Sequence, residues 1–359
     1  MSNKVYYVSS FFWKNYNAAS KAKMDVERIF QNIGLEPINL FKDGRNIRIF
    51  SFWKFIKLFF ESFSNKYTES TVFFQNGTGI DILLAPILNL AFRRSKRVII
   101  IHDVESIRLG RKEDYIREKF VFQRFNYAIC HTDEMATFLR EKLKFKGILK
   151  TLGFFDYIVS KECERKDDDL SFPDISKNEK FIISFAGNLS RWKSAFLHKL
   201  SENASVSHKN YKIFLYGKSY DGKVEEGYIE SKGTYTPDEL PLHIQGHFGL
   251  VWDGDGIDRI SGTTGYYLKY NMPHKASLYI VSGLPVITWK DSACFKLVEK
   301  YNIGFGINSL LELDRKLERV TEQQYDTWKN NVENLKKDLE NGKNLERLIK
   351  EIINERFYR

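Results

Sequence analysis

The sequence predicts an α/β protein built from two Rossmann-like, doubly wound domains. Short apolar runs alternate with helical patterns as far as residue 152, which is typical of a parallel sheet covered by helices on both faces. The run Val98–Ile101 is purely apolar and predicts a strand buried on both faces. A polar stretch then interrupts the pattern, and the alternation restarts at Phe181.

The first domain is predicted over residues 1–165. Its first helix, Ala18–Ile33, repeats apolar residues at the spacing of one helix face. The predicted strands are Lys4–Ser9, Glu36–Leu40, Thr71–Gln75, Arg97–His102, Asn126–Cys130 and Ile148–Leu152. The other predicted helices are Arg48–Phe63 and Asp81–Phe92.

Residues 166–179 form the predicted linker, because this stretch is polar and rich in turn-forming residues. The second domain is predicted over residues 180–335. Its predicted strands are Phe181–Ala186, Tyr211–Tyr216, His247–Trp252, Leu284–Ile287 and Gly304–Ile307, and its later helices are Ser292–Tyr301 and Ser309–Val320. Residues 322–359 are predicted to be helical with a break near Gly342, and residues 336–359 to pack back toward the first domain.

The composition of the 359 residues is that of a globular protein with a surplus of positive charge. A net charge of +10 suits phosphorylated substrates, an anionic membrane surface or nucleic acid. The basic residues are scattered and no nucleic-acid motif accompanies them, so we expect no nucleic-acid partner. No Walker A loop, nucleophile elbow or G-x-G-x-x-G pattern follows the first strand, which argues against kinases and dehydrogenases.

Cysteine usage predicts a reducing compartment. Cys130, Cys163 and Cys294 are widely spaced and show neither a disulfide framework nor a zinc spacing, so we expect a cytoplasmic protein. The N-terminus opens directly into a strand and lacks the pattern of a signal peptide. No run of about 18 apolar residues predicts a membrane-spanning helix.

The stretch Tyr266–Trp289 predicts the main binding element. A polar, basic segment runs into an apolar helix that starts near Pro273 and ends before Gly283, and a buried strand follows. A helix N-terminus presents free N–H groups and the positive end of the dipole, which suits a diphosphate. The residues placed beside it are Lys269, Asn271, His274, Lys275 and Ser277. The alternative is an ordinary αβ unit with His274 and Lys275 on its surface.

Polar residues also follow two other strands of the second domain. Ligands bind outside the carboxyl ends of strands in open α/β sheets. Gly187, Asn188, Ser190 and Arg191 follow one strand, where the glycine admits a ligand and the arginine suits phosphate. Tyr216 and Gly217 follow the next strand, where the tyrosine is placed to stack on a nucleobase. The alternatives are a tight turn with a surface arginine and a tyrosine that only packs.

Asp253-Gly254-Asp255 resembles a DxD metal motif, but it lies late in the second domain. We therefore expect no metal there. The motif is better interpreted as a loop that lines the pocket, with Asp253 among the donor-binding residues. The glycines of Ser261–Gly265 predict a mobile loop beside it.

Candidate acceptor residues follow the strands of the first domain. His102 and Asp103 follow the most buried strand, and a carboxylate there suits a general base. The alternative for Asp103 is a helix N-cap. The other candidate acceptor residues are Asn17, Ser20 and Lys21 after the first strand and Asn76 and Thr78 after the third.

The predicted helix Arg48–Phe63 mixes Phe and Trp with lysines. This composition suits a helix that lies in a membrane interface, and peripheral membrane contact is one interpretation. The other is a helix that faces the core of the first domain, and we favour it because the fold needs a helix to cover its sheet there.

Several blocks along the chain resemble one group of bacterial transferases. These are the glucosyltransferase 3 type enzymes of serine-rich-repeat adhesin glycosylation and the related β-1,6-galactofuranosyltransferases. The blocks are Asn17-Ala18-Ala19-x-Lys21-Ala22-x-x-Asp25-Val26, His102-Asp103-Val104, Phe154-Phe155-Asp156-Tyr157, Asp253-Gly254-Asp255, Ser261-Gly262, Tyr267-Leu268-Lys269-Tyr270-Asn271-x-Pro273-His274-Lys275-x-Ser277 and Gly283-Leu284-Pro285-Val286-Ile287.

This resemblance implies a GT-B fold, in which two Rossmann-like domains face a central cleft. It implies a UDP-sugar donor bound by the second domain, with Arg191 and Lys275 on the diphosphate and Tyr216 near the uridine. It implies no cofactor and no obligatory metal. It further implies a homo-oligomer that adds a hexose, most simply glucose from UDP-glucose, to GlcNAc on a serine-rich glycoprotein.

Two alternatives stay open. One is transfer of galactofuranose from its UDP donor to a polysaccharide or lipid-linked acceptor. The other is a non-catalytic subunit that only binds a nucleotide sugar. Phe11-Phe12-Trp13-Lys14 departs from the small, glycine-containing sequence expected after the first strand, and this leaves the acceptor open.

Overall fold

The computed structural model describes residues 4–11, 18–44, 48–159, 170–202, 210–222 and 228–356. Its contacts divide into two units, Met1–Asp156 with Gly342–Arg359 and Tyr157–Asn341. Each unit contains a six-stranded sheet, and the pairs within both sheets are parallel. Within the described ranges, no helix is both long and apolar enough to cross a membrane.

The first unit follows the predicted β-α alternation. Its strands are β1 Val5–Val8, β2 Glu36–Ile38, β3 Phe41–Asp43, β4 Arg48–Phe50, β5 Thr71–Gln75, β6 Lys96–Ile100, β7 Tyr127–Cys130 and β8 Ile148–Thr151. Its helices are α1 Ala18–Asn32, α2 Phe52–Glu61, α3 Asp81–Ala91, α4 Glu105–Arg108, α5 Lys112–Phe122 and α6 Asp133–Glu141. The order of the sheet is β2-β1-β5-β6-β7-β8.

The middle of this sheet forms the core of the first unit. Val72–Phe74 in β5 and Val98–Ile100 in β6 are at most 1 % exposed, so side chains on both faces of these strands are covered. The prediction from the uninterrupted apolar run in β6 is therefore confirmed.

The predicted helix Arg48–Phe63 is wrong at its N-terminal end. Residues Arg48–Phe50 form β4, which pairs antiparallel with β3, and the helix begins only after Ser51. The guanidinium of Arg48 donates to Glu27 at 2.6 Å and to Asp43 at 3.1 Å, and these bonds hold the segment extended against its neighbours. The ion pair with Glu27 joins residues 21 positions apart, and the local sequence pattern of this segment does not reveal it.

The favoured interpretation of the same helix as core-facing holds for one side of it only. Leu58 is the only buried residue of α2, whereas Phe52, Trp53 and Phe60 are 60 %, 78 % and 68 % exposed. The helix has the amphipathic pattern that the sequence indicates, but its aromatic side faces outward.

The second unit repeats the alternation. Its strands are β9 Phe181–Asn188, β10 Tyr211–Lys218, β11 Ile229–Gly233, β12 Phe248–Val251, β13 Val286–Trp289 and β14 Gly304–Ile307. Its helices are α7 Arg191–Glu202, α8 Leu240–His243, α9 Gly262–Tyr267, α10 His274–Val281, α11 Ala293–Tyr301, α12 Leu313–Leu317 and α13 Glu322–Leu339. The order of the sheet is β11-β10-β9-β12-β13-β14, and β11 has no counterpart among the predicted strands.

The residues before the second unit's sheet pack within that unit. Of the predicted linker 166–179, residues 166–169 lie outside the described residues. Phe172 packs against Phe181 with ring centroids 5.4 Å apart, and the ring of His247 lies 3.0 Å from the carbonyl of Ser171. A short 3₁₀ turn, Ile175–Lys177, leads into β9.

The predicted helix between Pro273 and Gly283 is confirmed as α10. Gly283 has a φ of +70° just after the helix, a conformation that glycine adopts without strain. Pro273 stands at the N-cap and does not enter the first turn. Tyr279 is fully buried on this helix, and the backbone of Gly249 in β12 passes so close to its ring that a side chain there would overlap it.

The terminal helix α14, Lys343–Asn354, belongs to the first unit and contacts α1. Its last turn is held by the ammonium of Lys96, which donates to the carbonyls of Ile352, Ile353 and Glu355 at 2.5, 2.8 and 2.5 Å. The last carbonyls of a helix lack partners within the helix, and a cation there also opposes the negative end of the dipole. Lys96 is 4 % exposed, so water replaces it poorly.

We therefore expect Lys96→Met to lower the stability of the first unit by about 1–3 kcal/mol, because it leaves buried carbonyls without donors. Thermal unfolding measures the loss, and limited proteolysis should show earlier cleavage within α14. Lys112→Met, at an exposed position on α5, is the matched control. Equal unfolding midpoints for the two variants would show that Lys96 does not anchor the helix.

Candidate functional site

The strand order of the second unit creates a switch point between β9 and β12. The chain adds β10 and β11 on one side of β9 and β12 to β14 on the other. Ligands of such sheets bind at the carboxyl ends of the strands where the order reverses. The phenol of Tyr279 bridges the two strands there, because its oxygen accepts from the amide of Ala186 at 2.9 Å and donates to the carbonyl of Leu250 at 3.1 Å.

A buried ion pair occupies this switch point. The ammonium of Lys275 donates to a carboxylate oxygen of Asp253 at 2.8 Å and to the carbonyl of Trp252 at 3.3 Å. It also lies 4.5 Å from the centroid of the Phe185 ring. Both charged side chains are only about an eighth exposed, at 14 % and 13 %. Burial lowers the pKa of Lys275, and the carboxylate of Asp253 opposes that shift.

The N-terminus of α10 stands beside this pair without a side-chain cap. Pro273 is the N-cap and offers no side-chain acceptor to the first N–H groups. Among the described residues, the hydroxyl of Ser277 and the side-chain oxygen of Asn271 are buried without a hydrogen-bond partner. Ser277 is fully buried. The hydroxyl of Ser277 can donate, and so can a helix N-terminus, so these two groups suit an anionic ligand that accepts from both.

The end of β9 and the turn after it supply open space and an exposed arginine. Gly187 has a φ of +147°, and a side chain there would meet no atom within 4 Å. The side-chain oxygen of Asn188 accepts from the amide of Ser190 at 3.0 Å and so shapes the turn. Arg191 begins α7 and is 57 % exposed, and its guanidinium lies 3.4 Å from the carboxylate of Glu202. An exposed guanidinium at the end of the strand suits a phosphate group.

Lys193 is a basic residue of this region that the sequence analysis missed. Its positive charge lowers the pKa of Lys275, which places the two ammonium groups in one electrostatic neighbourhood. The signal was present in the sequence, because Lys193 lies two residues after Arg191 on the same helical turn.

The predicted stacking role of Tyr216 needs correction. Tyr216 is 2 % exposed, and its hydroxyl accepts from the amide of Gln245 at 3.0 Å. A ring buried to this degree has no open face for a nucleobase. Tyr235 is the half-buried aromatic nearby: its ring stacks on His243 at 4.0 Å and lies 6.5 Å from that of Tyr216. It follows β11, the strand that the sequence analysis did not predict.

Gly217 and the remaining predicted donor residues lie around the same ends of strands. Gly217 pairs with Gly187, and its backbone passes so close to Gly187 that a side chain would overlap the carbonyl. The ammonium of Lys269 lies 5.3 Å from the ring of Trp289 at the end of β13. The ring of His274 packs on Tyr157 at 4.8 Å.

Asp253-Gly254-Asp255 packs against α9. A side chain at Gly254 would overlap the carbonyl of Ser261, and one at Gly262 would overlap the carboxylate of Asp255. The mobile loop predicted for Ser261–Gly265 is therefore wrong over Gly262–Gly265, which begin α9. Within the part of the chain that the structure describes, no group of three His, Cys, Asp or Glu residues is arranged around a metal position.

The first unit has its own switch point, between β1 and β5. The ammonium of Lys23 lies there, donating to the carbonyl of Gly77 at 2.5 Å and to that of Phe11 at 3.5 Å. Burial lowers the pKa of Lys23, whereas the charges of Asp81 and Asp103 raise it. The sequence analysis placed Lys21 in this position and missed Lys23.

Lys21 and Ser20 are buried on another side of α1. The ammonium of Lys21 donates to Asp25 at 2.7 Å, and both side chains are 1 % exposed. Ser20 is 5 % exposed, and Asn17 lies outside the described residues. Lys21 and Lys23 differ by about 200° around a helix, so the error is one of helical phase. The acceptor roles predicted for Ser20 and Lys21 are therefore wrong. Ser20 is buried by packing, and Lys21 is paired with Asp25.

Asn76, Thr78 and His102 connect neighbouring ends of strands. The side chain of Asn76 donates to the carbonyl of Asp103 and accepts from the amide of His102, both at 2.8 Å. Thr78 bonds to the carboxylate of Asp81. A ring nitrogen of His102 lies 2.7 Å from the side-chain oxygen of Gln75. These bonds fix the shape of the site.

Asp103 keeps its carboxylate partly accessible, at 35 % exposure. The guanidinium of Arg108 lies 3.2 Å from this carboxylate and 3.3 Å from Glu105. Val104 stands at the N-cap of α4, so the N-cap interpretation of Asp103 is wrong.

Comparison with known proteins agrees with this architecture. The model of the glucosyltransferase 3-like N-terminal domain matches residues 5–147, and that of the glucosyltransferase 3-like C-terminal domain matches residues 183–352. The chain is 29 % identical over 258 residues to the β-1,6-galactofuranosyltransferase WbbI of Escherichia coli K12, covering 72 % of this chain and 71 % of that protein.

Solved structures share the fold at low identity. Sucrose-phosphate synthase from Thermosynechococcus elongatus superposes with a TM-score of 0.63 at 11 % identity and covers 98 % of both chains. The Anabaena protein HepE, in complex with UDP and glucose, superposes with a TM-score of 0.58 at 15 % identity and covers 99 % of this chain and 100 % of that one. The predicted GT-B fold is confirmed.

The pair Lys275–Asp253 predicts strong energetic coupling. Asp253→Asn leaves a nearly buried ammonium without its counter-charge, and we expect a loss of up to about 3 kcal/mol in the free energy of unfolding. Lys275→Met strands the carboxylate and should cost a similar amount. In the double variant neither charge is left without its partner. The loss in the free energy of unfolding should therefore be well below the sum of the losses in the two single variants. Additive losses in urea denaturation without ligand would show that the two groups act independently.

Proposed function

Since the chain belongs to the glucosyltransferase 3-like family of glycosyltransferases, we propose that it transfers glucose from UDP-glucose to a glycan acceptor, such as GlcNAc on a serine-rich-repeat glycoprotein. The observation that carries the donor assignment is the uncapped N-terminus of α10 beside the ammonium of Lys275 at the switch point of the second unit. HepE, which shares the fold, holds UDP and glucose in its structure.

The proposed site stabilises the leaving diphosphate by fixed positive charge. Arg191, Lys275 and the positive end of the α10 dipole would all favour the negative charge that develops on UDP as the glycosidic bond breaks. The contact between Lys275 and Asp253 holds the ammonium in one place before the donor arrives. In this proposal the protein's own cations meet the diphosphate, and no metal or other cofactor is required.

A second candidate is transfer of galactofuranose from its UDP donor to a polysaccharide or a lipid-linked acceptor. The match to WbbI, which spans 72 % of the chain, favours it. Both candidates use the same diphosphate site and differ only in the sugar and the acceptor.

We place the enzyme in the cytoplasm as a homo-oligomer. The described cysteines, Cys130 and Cys294, are buried free thiols, which agrees with a reducing compartment. The homo-oligomer follows from the resemblance to the adhesin-glycosylating enzymes.

We expect UDP to raise the thermal unfolding midpoint of the protein, because a ligand that binds only the folded state stabilises it. Arg191→Ala should weaken UDP binding by about tenfold or more, since a charge-assisted bond to phosphate is lost. Lys199→Ala, which removes an exposed lysine from the same helix, is the matched control. EDTA should change neither binding nor transfer.

The same assay with ADP, GDP and the common UDP-sugars identifies the donor. The best-stabilising UDP-sugar is then offered with GlcNAc-bearing and polysaccharide acceptors, and the products are analysed by mass spectrometry. No midpoint shift with any nucleotide, or an equal shift in Arg191→Ala, would overturn the donor site.

We propose Asp103 as the general base that deprotonates the acceptor hydroxyl, because its carboxylate is accessible and follows the central strand β6. Asp103→Asn should lower kcat by about 10²–10⁴-fold and leave the UDP-induced midpoint shift intact. Glu105→Gln, which removes the other carboxylate beside Arg108, is the control. A wild-type kcat in Asp103→Asn would show that the base is another group.

A further inference from the structure

The α2 helix carries an aromatic surface on the outside of the first unit. The aromatic side chains of this surface lie within about 120° of one another around the helix, so they share one face. They are Phe52, Trp53, Phe59, Phe60 and the following Phe63, which are 60 %, 78 %, 41 %, 68 % and 59 % exposed. We call this set the aromatic face.

The aromatic face is large for a surface that water covers. Its exposed fractions correspond to on the order of 600 Å² of apolar surface, since each aromatic side chain presents about 150–250 Å². The largest apolar patch of an ordinary soluble monomer is about 300–600 Å². The rings also pack on one another, with centroids of Phe59 and Phe63 5.2 Å apart and those of Phe59 and Phe60 5.7 Å apart.

This outward orientation is held by the rest of the unit. Leu58 and Ser62 supply the buried side of the helix at 2 % and 0 % exposure, and the ring of Phe55 packs on Phe50 at 5.6 Å. The ammonium of Lys54 donates to the carbonyl of Phe41 at 3.3 Å, tying the helix to the β3–β4 hairpin. Rotating the helix to bury its aromatic face would break these contacts.

Positive charge borders the aromatic face. Lys57 and Lys66 are 75 % and 48 % exposed, and the exposed Arg93 donates to Asn65 at 3.1 Å in the turn that follows α2. Glu61 is the one acid between Phe52 and Lys66, and it is shared by Lys57 at 4.0 Å and Lys66 at 2.8 Å. The border therefore keeps a net positive charge.

We propose that the first unit binds the surface of an anionic membrane through the aromatic face. Aromatic side chains on one side of a helix and lysines at its margins are the composition of helices that lie in the lipid interface. The lysines complement the negative headgroups, while their stems lie along the apolar surface. Protein–protein interfaces are also enriched in Trp and Phe, but they are depleted of lysine, so the lysines at the margins favour a membrane surface over a protein partner.

Vesicle flotation tests the proposal with the full-length protein. The protein should float with vesicles of phosphatidylcholine mixed with phosphatidylglycerol, and much less with phosphatidylcholine alone. Raising the salt concentration should weaken binding, because the charge component is screened. Trp53→Ser/Phe60→Ser should reduce binding by about tenfold or more.

The matched control is Ile116→Ser/Phe120→Ser, which removes two exposed apolar side chains, 67 % and 40 % exposed, from α5. It should bind vesicles as the wild type does. The UDP-induced midpoint shift should be unchanged in both variants, so a failure of this proposal is distinguishable from a failure of the donor site.

Absence of wild-type flotation with the mixed vesicles overturns the proposal. Equal loss of binding in the control also overturns it, because the effect would then follow from general surface hydrophobicity. Light scattering tests the other possible occupant of the aromatic face, a second copy of the chain. If the wild type is an oligomer that Trp53→Ser/Phe60→Ser dissociates, a second copy of the chain covers the aromatic face and the membrane proposal is wrong.

Discussion

The contact between Lys275 and Asp253 is the constraint on which the second unit depends. An ammonium that is only 14 % exposed is tolerated because a carboxylate lies 2.8 Å away and a backbone carbonyl shares the charge. Those partners come from the end of β12, while Lys275 itself comes from α10. The ion pair between Lys275 and Asp253 therefore fixes the start of α10 against the carboxyl end of the sheet. The bonds of Tyr279 to β9 and β12 fix the same helix one turn further on.

The first unit solves the same packing problem with different residues. Its switch point between β1 and β5 also holds a buried lysine, Lys23, whose ammonium donates to backbone carbonyls. In both units a lysine from a nearby helix donates to backbone carbonyls that follow the ends of the strands at this point. Each lysine brings positive charge to the edge of its sheet where ligands of this fold class bind.

The features of the fold that could be predicted from the sequence are those determined by residues close together in the chain. The boundaries of α10, the left-handed Gly283 and the buried run in β6 follow from capping, turn and burial rules that act within a few residues. The choice of Lys21 over Lys23 failed because both residues lie on one helix, and only the position of the sheet decides which of them reaches the switch point. The stacking role predicted for Tyr216 failed for a similar reason. The sequence of a strand that ends in tyrosine is the same whether the ring is covered or open.

The α2 helix shows the limit of periodicity. An amphipathic pattern indicates that the two sides of a helix differ in polarity. The apolar side is usually buried, because it gains most from leaving water. Here the side that packs carries Leu58 and Ser62, and the aromatic side is left outside. The pairing of Arg48 with Glu27 and Asp43 places the hairpin that leads into the helix, and with it the rotation of the helix. The periodicity of the helix cannot contain that rotation, since it depends in part on Glu27, a charge 21 residues before Arg48.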